Sequence, residues 1–93
     1  MQTFVILRRS AWEDETALQD DAEESTRVAD EEMPGQVKWI RSYVMEEEDG
    51  TLGTVCIYQA EDADAIAEHA QRAGLPADEI LRVADTVIIR DDP

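Results

Sequence analysis

The chain has 93 residues, of which 43% are hydrophobic, so it can build one globular domain around a small core and not two. Acidic residues outnumber basic ones 23 to 8, giving a formal net charge of −15, and this disfavours DNA, RNA or an anionic membrane surface as a partner. No apolar run approaches the roughly 18 residues of a membrane-spanning helix, and the charges of Met1–Arg9 follow the apolar stretch instead of preceding it as in a secretory signal, so a cytoplasmic protein is expected.

Taken in chain order, Thr3–Arg9 reads as a strand, with Phe4-Val5-Ile6-Leu7 continuous and apolar. Trp12 to about Met33 reads as a helix, with Glu13, Asp14 and Glu15 in its first turn, where the dipole favours acids. Leu18, Ala22, Ser25, Ala29 and Met33 form one narrow stripe toward the core, and the other face is acidic. Pro34-Gly35 stops the helix. Val37–Met45 and Thr54–Ala60 read as two strands of an antiparallel hairpin around Glu46–Gly50. Asp62 caps a second helix that runs to about Ala73 with Ile66, Ala70 and Ala73 inward, and Gly74 and Pro76 end it. Ala77–Leu81 reads as one short turn, Val83–Ile89 as the last strand, and Asp91-Asp92-Pro93 as a frayed tail.

The order β-α-β-β-α-β is the ferredoxin-like pattern, an α+β fold with a four-stranded antiparallel sheet and two helices on one face. Strict alternation in the second strand puts Val37, Trp39, Arg41, Tyr43 and Met45 on one side and Lys38, Ile40, Ser42 and Val44 on the other. Neither side is purely polar. Two apolar faces need two covers, and this chain has helices for one; a two-fold homodimer through the sheet face is the expected second cover. Seven of the eight basic residues are arginine, so the surface is almost free of lysine. Two readings of the acidity stand side by side: a solvated surface that maintains solubility, and adaptation to high salt, as in a halophile.

The segments F-V-I-L-R at 4–8, W-I-R-S-Y-V at 39–44, C-I-Y at 56–58, E-H-A-Q-R-A-G-L-P-A-D-E-I at 68–80 and V-A-D-T-V-I at 83–88 resemble a family of small ferredoxin-like proteins of unknown function. One bacterial member of that family is described as a nickel-binding protein. The resemblance is strongest from Trp39 to Ile80. It implies a dimeric α/β barrel made of two four-stranded sheets, and nickel as the ligand. The matching positions able to coordinate are Cys56, Glu68 and His69.

The residues themselves leave three functions open. His69 is the only histidine, and its neighbours three and four residues away (Ala65, Ile66, Arg72, Ala73) supply no second ligand, so the usual helical metal pair is absent. It shares a helix side with Ile66 and Ala73 and is expected to face the sheet, where a neutral imidazole suits nickel or acid–base work, or simply a hydrogen-bonded interior. Cys56 lies mid-strand between Val55 and Ile57; a soft metal ligand and a small buried hydrophobe are both open to it. A single cysteine also cannot form an internal disulfide. The first reading is therefore a non-enzymatic binder of a nickel-like divalent ion through His69, with Glu68 or Cys56. The second is a dimeric barrel that binds or transforms a small apolar molecule without a cofactor, in a pocket around His69 lined by Trp39, Ser42, Tyr43 and Tyr58. The third is a structural or stress-related dimer with no ligand.

Overall fold

The structure, a computed structural model, describes residues 1–92. Strand β1 spans Gln2–Trp12, helix α1 Glu15–Arg27, strands β2 and β3 Val37–Glu46 and Leu52–Ala60, helix α2 Ala63–Ala73, and strand β4 Glu79–Arg82. The sheet is antiparallel with strand order β2-β3-β1-β4, and both helices pack on one of its faces. The fold is α+β and ferredoxin-like. Phe4, Ile6, Val28, Met33, Val37, Cys56, Tyr58, Ala60, Ile66 and Ala73 form the core between the helices and the sheet.

The signals of the second helix act as the sequence suggests, and Asp14, expected within the first turn of the first helix, is instead its cap. Asp14 and Asp62 cap α1 and α2 by accepting from Ala17 N–H at 2.9 Å and Ala65 N–H at 2.8 Å. Gly74 takes the left-handed conformation, φ 72°, while Leu75 N–H donates to Ala70 O and Gly74 N–H to Gln71 O, the paired bonds of a Schellman end. The first helix departs from expectation at both ends. Trp12 is the last residue of β1, and its indole N–H donates to Asp21 at 2.8 Å, which ties the strand end to α1. Past Arg27 the helix widens into a π turn over Val28–Glu32. That extra residue lets Val28, Ala29 and Met33 all be buried, where a straight α-helix would offer the stripe alone.

Two further differences concern strands. The last strand is Glu79–Arg82, not Val83–Ile89, and Ala77–Leu81 is not a helical turn. Asp78 N–H donates to Leu7 O, and β4 then pairs with β1 from Leu7↔Glu79 to Phe4↔Arg82, so Ile80 reaches the core. Val87, Ile88 and Ile89 carry strand propensity without burial, being 82%, 75% and 77% exposed. The segment after Arg82 runs beside the open sheet face, where Asp92 meets the Tyr43 hydroxyl at 2.7 Å and pairs with Arg41. Pro93, the end of the expected frayed tail, lies outside the described residues.

The second difference is a β-bulge in β2. Trp39 pairs with Tyr58 and Arg41 with Ile57, so Ile40 is an extra residue. From Arg41 onward every side chain is therefore on the side opposite to strict alternation. Trp39, Ser42 and Val44 share the helix face, and Lys38, Arg41 and Tyr43 the open one. Among the described residues no helix is long and apolar enough to cross a membrane.

Candidate functional site

Under α1, against β1, β2 and β3, lies a chamber of about 170 Å³. Its apolar walls come from Trp12, Leu18, Ala22, Trp39, Val44 and Leu75, and its polar groups from Arg8, Gln19, Ser25, Ser42, Thr54, Cys56 and Tyr58. Two strand irregularities position this wall. The Ile40 bulge brings both Trp39 and Ser42 to the chamber, where the Trp39 indole N–H donates to Ser42 Oγ at 2.7 Å. A register shift between Arg8 and Trp12 in β1 passes through Ser10, whose φ is +48°. A serine rarely adopts that conformation, and Glu47 holds it by accepting from both the Ser10 N–H at 2.7 Å and its hydroxyl at 3.1 Å. The same shift brings Arg8 and Gly53 together so closely that a Cβ on Gly53 would sit 2.6 Å from Arg8 O.

Arg8 is the unusual group. It is 1% exposed, the most buried charge among the described residues. Its Nε–H donates to Pro76 O at 2.6 Å, its Nη1 to Cys56 Sγ at 3.2 Å, and its carbon centre stands 5.8 Å from the Tyr58 ring centroid. Nη2 is buried with no partner. The ion pairs of the described residues all lie at the surface and none includes Arg8, although the chain has 23 acidic residues to choose from. A buried guanidinium with no anion costs on the order of several kcal/mol. The cation–π contact with Tyr58 returns about 1–2 kcal/mol of that.

Behind the chamber a second polar group closes the interior. Tyr58 stacks on Trp39 with centroids 5.8 Å apart and planes at 6°, and its hydroxyl shares a hydrogen with Ser25 Oγ at 3.2 Å. His69 is fully buried, tilted against the Tyr58 ring at 5.5 Å. Its Nε2 lies 3.0 Å from Ser25 O; since a carbonyl only accepts, Nε2 carries the proton, and Nδ1 is left as a bare, buried lone pair without a partner. Burial pushes the His69 pKa below its ordinary value, and the Arg8 charge pushes the same way against the bond to Ser25. The Tyr58 hydroxyl is pushed up by burial, opposed by Ser25 and Arg8.

The expected site residues are thus divided. Trp39, Ser42, Tyr58 and Cys56 meet in one chamber. Tyr43 lies on the opposite sheet face, because of the Ile40 bulge, and bonds to Asp92. His69 is not a wall of the chamber but sits behind Ser25 and Tyr58. Glu68, one residue before His69 on α2, turns outward and pairs with Arg72 at 3.1 Å. Among the described residues no three or more His, Cys, Asp or Glu side chains are grouped to hold an ion. A dication held by Cys56 would also lie about 4–6 Å from the Arg8 guanidinium, opposed by about 5–8 kcal/mol at an effective dielectric near 20. The Cys56, Glu68 and His69 set therefore does not fit nickel within one protomer. Arg8 escaped the sequence reading because it looked like the solvated end of a strand; its parity with Phe4 and Ile6 was the available signal.

The family model described as "Nickel responsive protein SCO4226-like" matches residues 4–83. The chain belongs to this SCO4226-like family. Among solved structures, the crystal structure of SCO4226 from Streptomyces coelicolor A3(2) superposes with a TM-score of 0.71 at 20% identity, covering 91% of this chain and 99% of that one. At that identity the likeness shows the shared fold. Comparison with curated proteins finds no match. The SCO4226-like membership bears out the resemblance seen in the sequence; the nickel in the family's description belongs to the description.

Proposed function

We propose that this chain is a non-enzymatic small-molecule-binding protein whose ligand occupies the chamber beneath α1. The observation that carries this reading is Arg8: a buried cation with no anion beside it and a free Nη2, on the wall of a largely apolar space of about 170 Å³. Apolar walls with a few placed polar groups are the usual make-up of a small-molecule site. A nucleophilic role is not supported, since Cys56 touches Arg8 and Thr54 and has no base beside it. Both tryptophans of the chain line the chamber, so intrinsic fluorescence reports on its occupancy. A titration with neutral benzyl alcohol should change that fluorescence saturably. Ala22→Leu, which fills the chamber from α1, should abolish the response while leaving the fold intact. A wild-type protein silent to millimolar concentrations of small aromatic probes, neutral and charged alike, would sink the reading.

Nickel is the second reading, favoured by the family's description and by the bare Nδ1 of His69. One nitrogen is too few for a site, so further ligands would have to come from a second copy or from a rearrangement of α2. Calorimetry of metal-stripped protein with Ni²⁺ in molar KCl, with His69→Gln as control, tests it. Uptake unaffected by the substitution would assign the metal to surface carboxylates.

The assembly proposed is a homodimer through the open sheet face. Among the strand positions of that face Glu79 is acidic and Lys38 and Arg41 are basic, Arg41 being paired with Asp92 of the following segment, in a chain of net charge −15. A second copy can approach there with the least repulsion, covering Val5, Ile57, Leu81 and the exposed Val87–Ile89. Light scattering should give twice the protomer mass, and a monomeric mass at high concentration would refute it. A cytoplasmic location is proposed with it.

A further inference from the structure

We infer that the ligand of the chamber is a small monocarboxylate with a compact apolar or aromatic body, whose carboxylate is held by Arg8. The inference rests on the chamber being the ligand site and adds its chemical class.

Three observations specify the class. The first is charge. Arg8 lines the chamber, is 1% exposed, and has a free Nη2 with no protein partner. A guanidinium keeps its proton when buried, so the missing partner is an anion, and the planar fork of donors matches a carboxylate. The second is the placement of hydroxyls. Cys56 Sγ–H donates to Thr54 Oγ1 at 3.2 Å, which leaves the Thr54 O–H free to donate, and Ser42 lines the same space. A carboxylate can thus accept from Arg8 with one oxygen and from a neighbouring hydroxyl with the other. The third is size and wall chemistry. A cavity of about 150 Å³ lined by aliphatic and aromatic side chains suffices for benzene, and this one, at about 170 Å³, has Trp12, Leu18, Trp39, Val44 and Leu75 around its apolar part. The remaining volume suits a body of one small ring or a short branched chain. Inorganic anions carry the charge and leave those walls empty. Metal cations are repelled by Arg8.

The site also separates two electrostatic ranges. The surface charge of −15 repels an anion from afar, and salt screens that repulsion. Contact with Arg8 is buried and screened far less. Affinity for the carboxylate should therefore hold or rise from low salt to about 150 mM, one Debye length near 8 Å, whereas cation uptake by the acidic surface falls.

The test is tryptophan fluorescence and calorimetry of the full chain at pH 7.5, with benzoate, benzyl alcohol and inorganic phosphate as probes. Benzoate should bind saturably, and benzyl alcohol and phosphate at least about tenfold more weakly, the factor that a charge-assisted hydrogen bond carries. Arg8→Met, which keeps the length of the side chain and removes its charge, should lose that preference and bind benzoate no better than benzyl alcohol. Thr54→Val, whose backbone is central in β3, should weaken benzoate several-fold relative to benzyl alcohol. Equal binding of benzoate and benzyl alcohol by the wild type overturns the carboxylate while the chamber remains a ligand site. Equal binding of phosphate overturns the apolar body. Silence to all three probes overturns this inference and the chamber reading together. The wild-type comparisons decide these outcomes even if a variant fails to fold.

Discussion

Because His69 is the only histidine, the stability of this protein between pH 7.5 and 5.5 isolates one buried imidazole. The ring is 0% exposed, its Nε2–H is committed to Ser25 O, and Nδ1, where a second proton would go, has no acceptor and faces a buried surround that includes the positive field of Arg8. Its folded pKa therefore lies below the ordinary 6.5. A base whose folded value is depressed takes up its proton in the unfolded state first. Stability is then complete above the unfolded value and is lost as pH falls through 6.5 toward the folded value. If the folded ring binds no proton in this window, the loss from pH 7.5 to 5.5 reaches a ceiling of about 1.4 kcal/mol, the linkage free energy of one proton over one unit below the unfolded pKa. Urea unfolding in 1 M KCl measures it, since salt damps the opposing gain from neutralising a chain of net charge −15. His69→Gln retains an N–H for Ser25 O and cannot protonate, so the difference between the two proteins is the His69 contribution. A wild type that loses no stability relative to His69→Gln, or gains it, would refute the buried neutral imidazole.

Further outcomes follow from other contacts. Glu47, held by Arg9 first and then by Ser10, has its pKa lowered to about 2; the stability it contributes is present above the ordinary 4.5 and disappears as pH falls from there toward 2. Acid titration followed by circular dichroism should show an additional loss in that window which Glu47→Gln lacks. Gly53→Ala forces a Cβ to within 2.6 Å of Arg8 O and should destabilise by about 1–3 kcal/mol in denaturant unfolding, with the two strands pushed apart. Ile66→Ala, at a fully buried position of α2, should cost about 2–5 kcal/mol by the same assay. Deleting Ile40, half-exposed and supernumerary in β2, should leave the protein folded within about 1 kcal/mol, because the ladder closes with Trp39 inward and Arg41 outward as before. Deleting Tyr43 should flip the rest of the strand and abolish folding.

Most of the fold could be read from periodicity and punctuation. The Asp62 cap, the Gly74 stop and the alternation of β3 each express a local preference that the tertiary structure reinforces. Val83–Ile89 misled because β-branched residues announce propensity, whereas strand formation needed the partner that Glu79–Arg82 already occupied on β1. The π turn after Arg27 was not legible, because the sequence stripe fits an unbroken α-helix equally well, and three-dimensional packing of Val28 and Met33 decides between them. The chemistry was half legible. Trp39, Ser42, Cys56 and Tyr58 stood out by residue type, but a bulge carries no mark in composition, so Tyr43 was placed on the wrong face. Arg8 was overlooked because charge is normally a signal for solvent, and burial reverses its meaning.

The positions that broke the regular pattern are also the positions that build the chamber. The β1 shift through Ser10 keeps Trp12 on Arg8's side of the sheet and brings it opposite Leu52, nearer to Arg8's partner Thr54 than a plain ladder would. The β2 bulge at Ile40 puts Trp39 and Ser42 on one wall across an interval a plain ladder would not allow. Each has a cost: a non-glycine residue at positive φ, an unpaired strand residue, and a buried guanidinium with a donor to spare. A dimer that only needed a stable sheet would be better served by two regular strands and an aliphatic residue at position 8. Costs that converge on one pocket are the pattern expected of a site under functional constraint. The same convergence separates the chamber from the nickel in the family's description. The groups placed at such expense repel a cation, and the bare lone pair of His69 lies behind them. If both ligands bind this protein, they bind at different places, and His69→Gln and Arg8→Met should each remove one and spare the other.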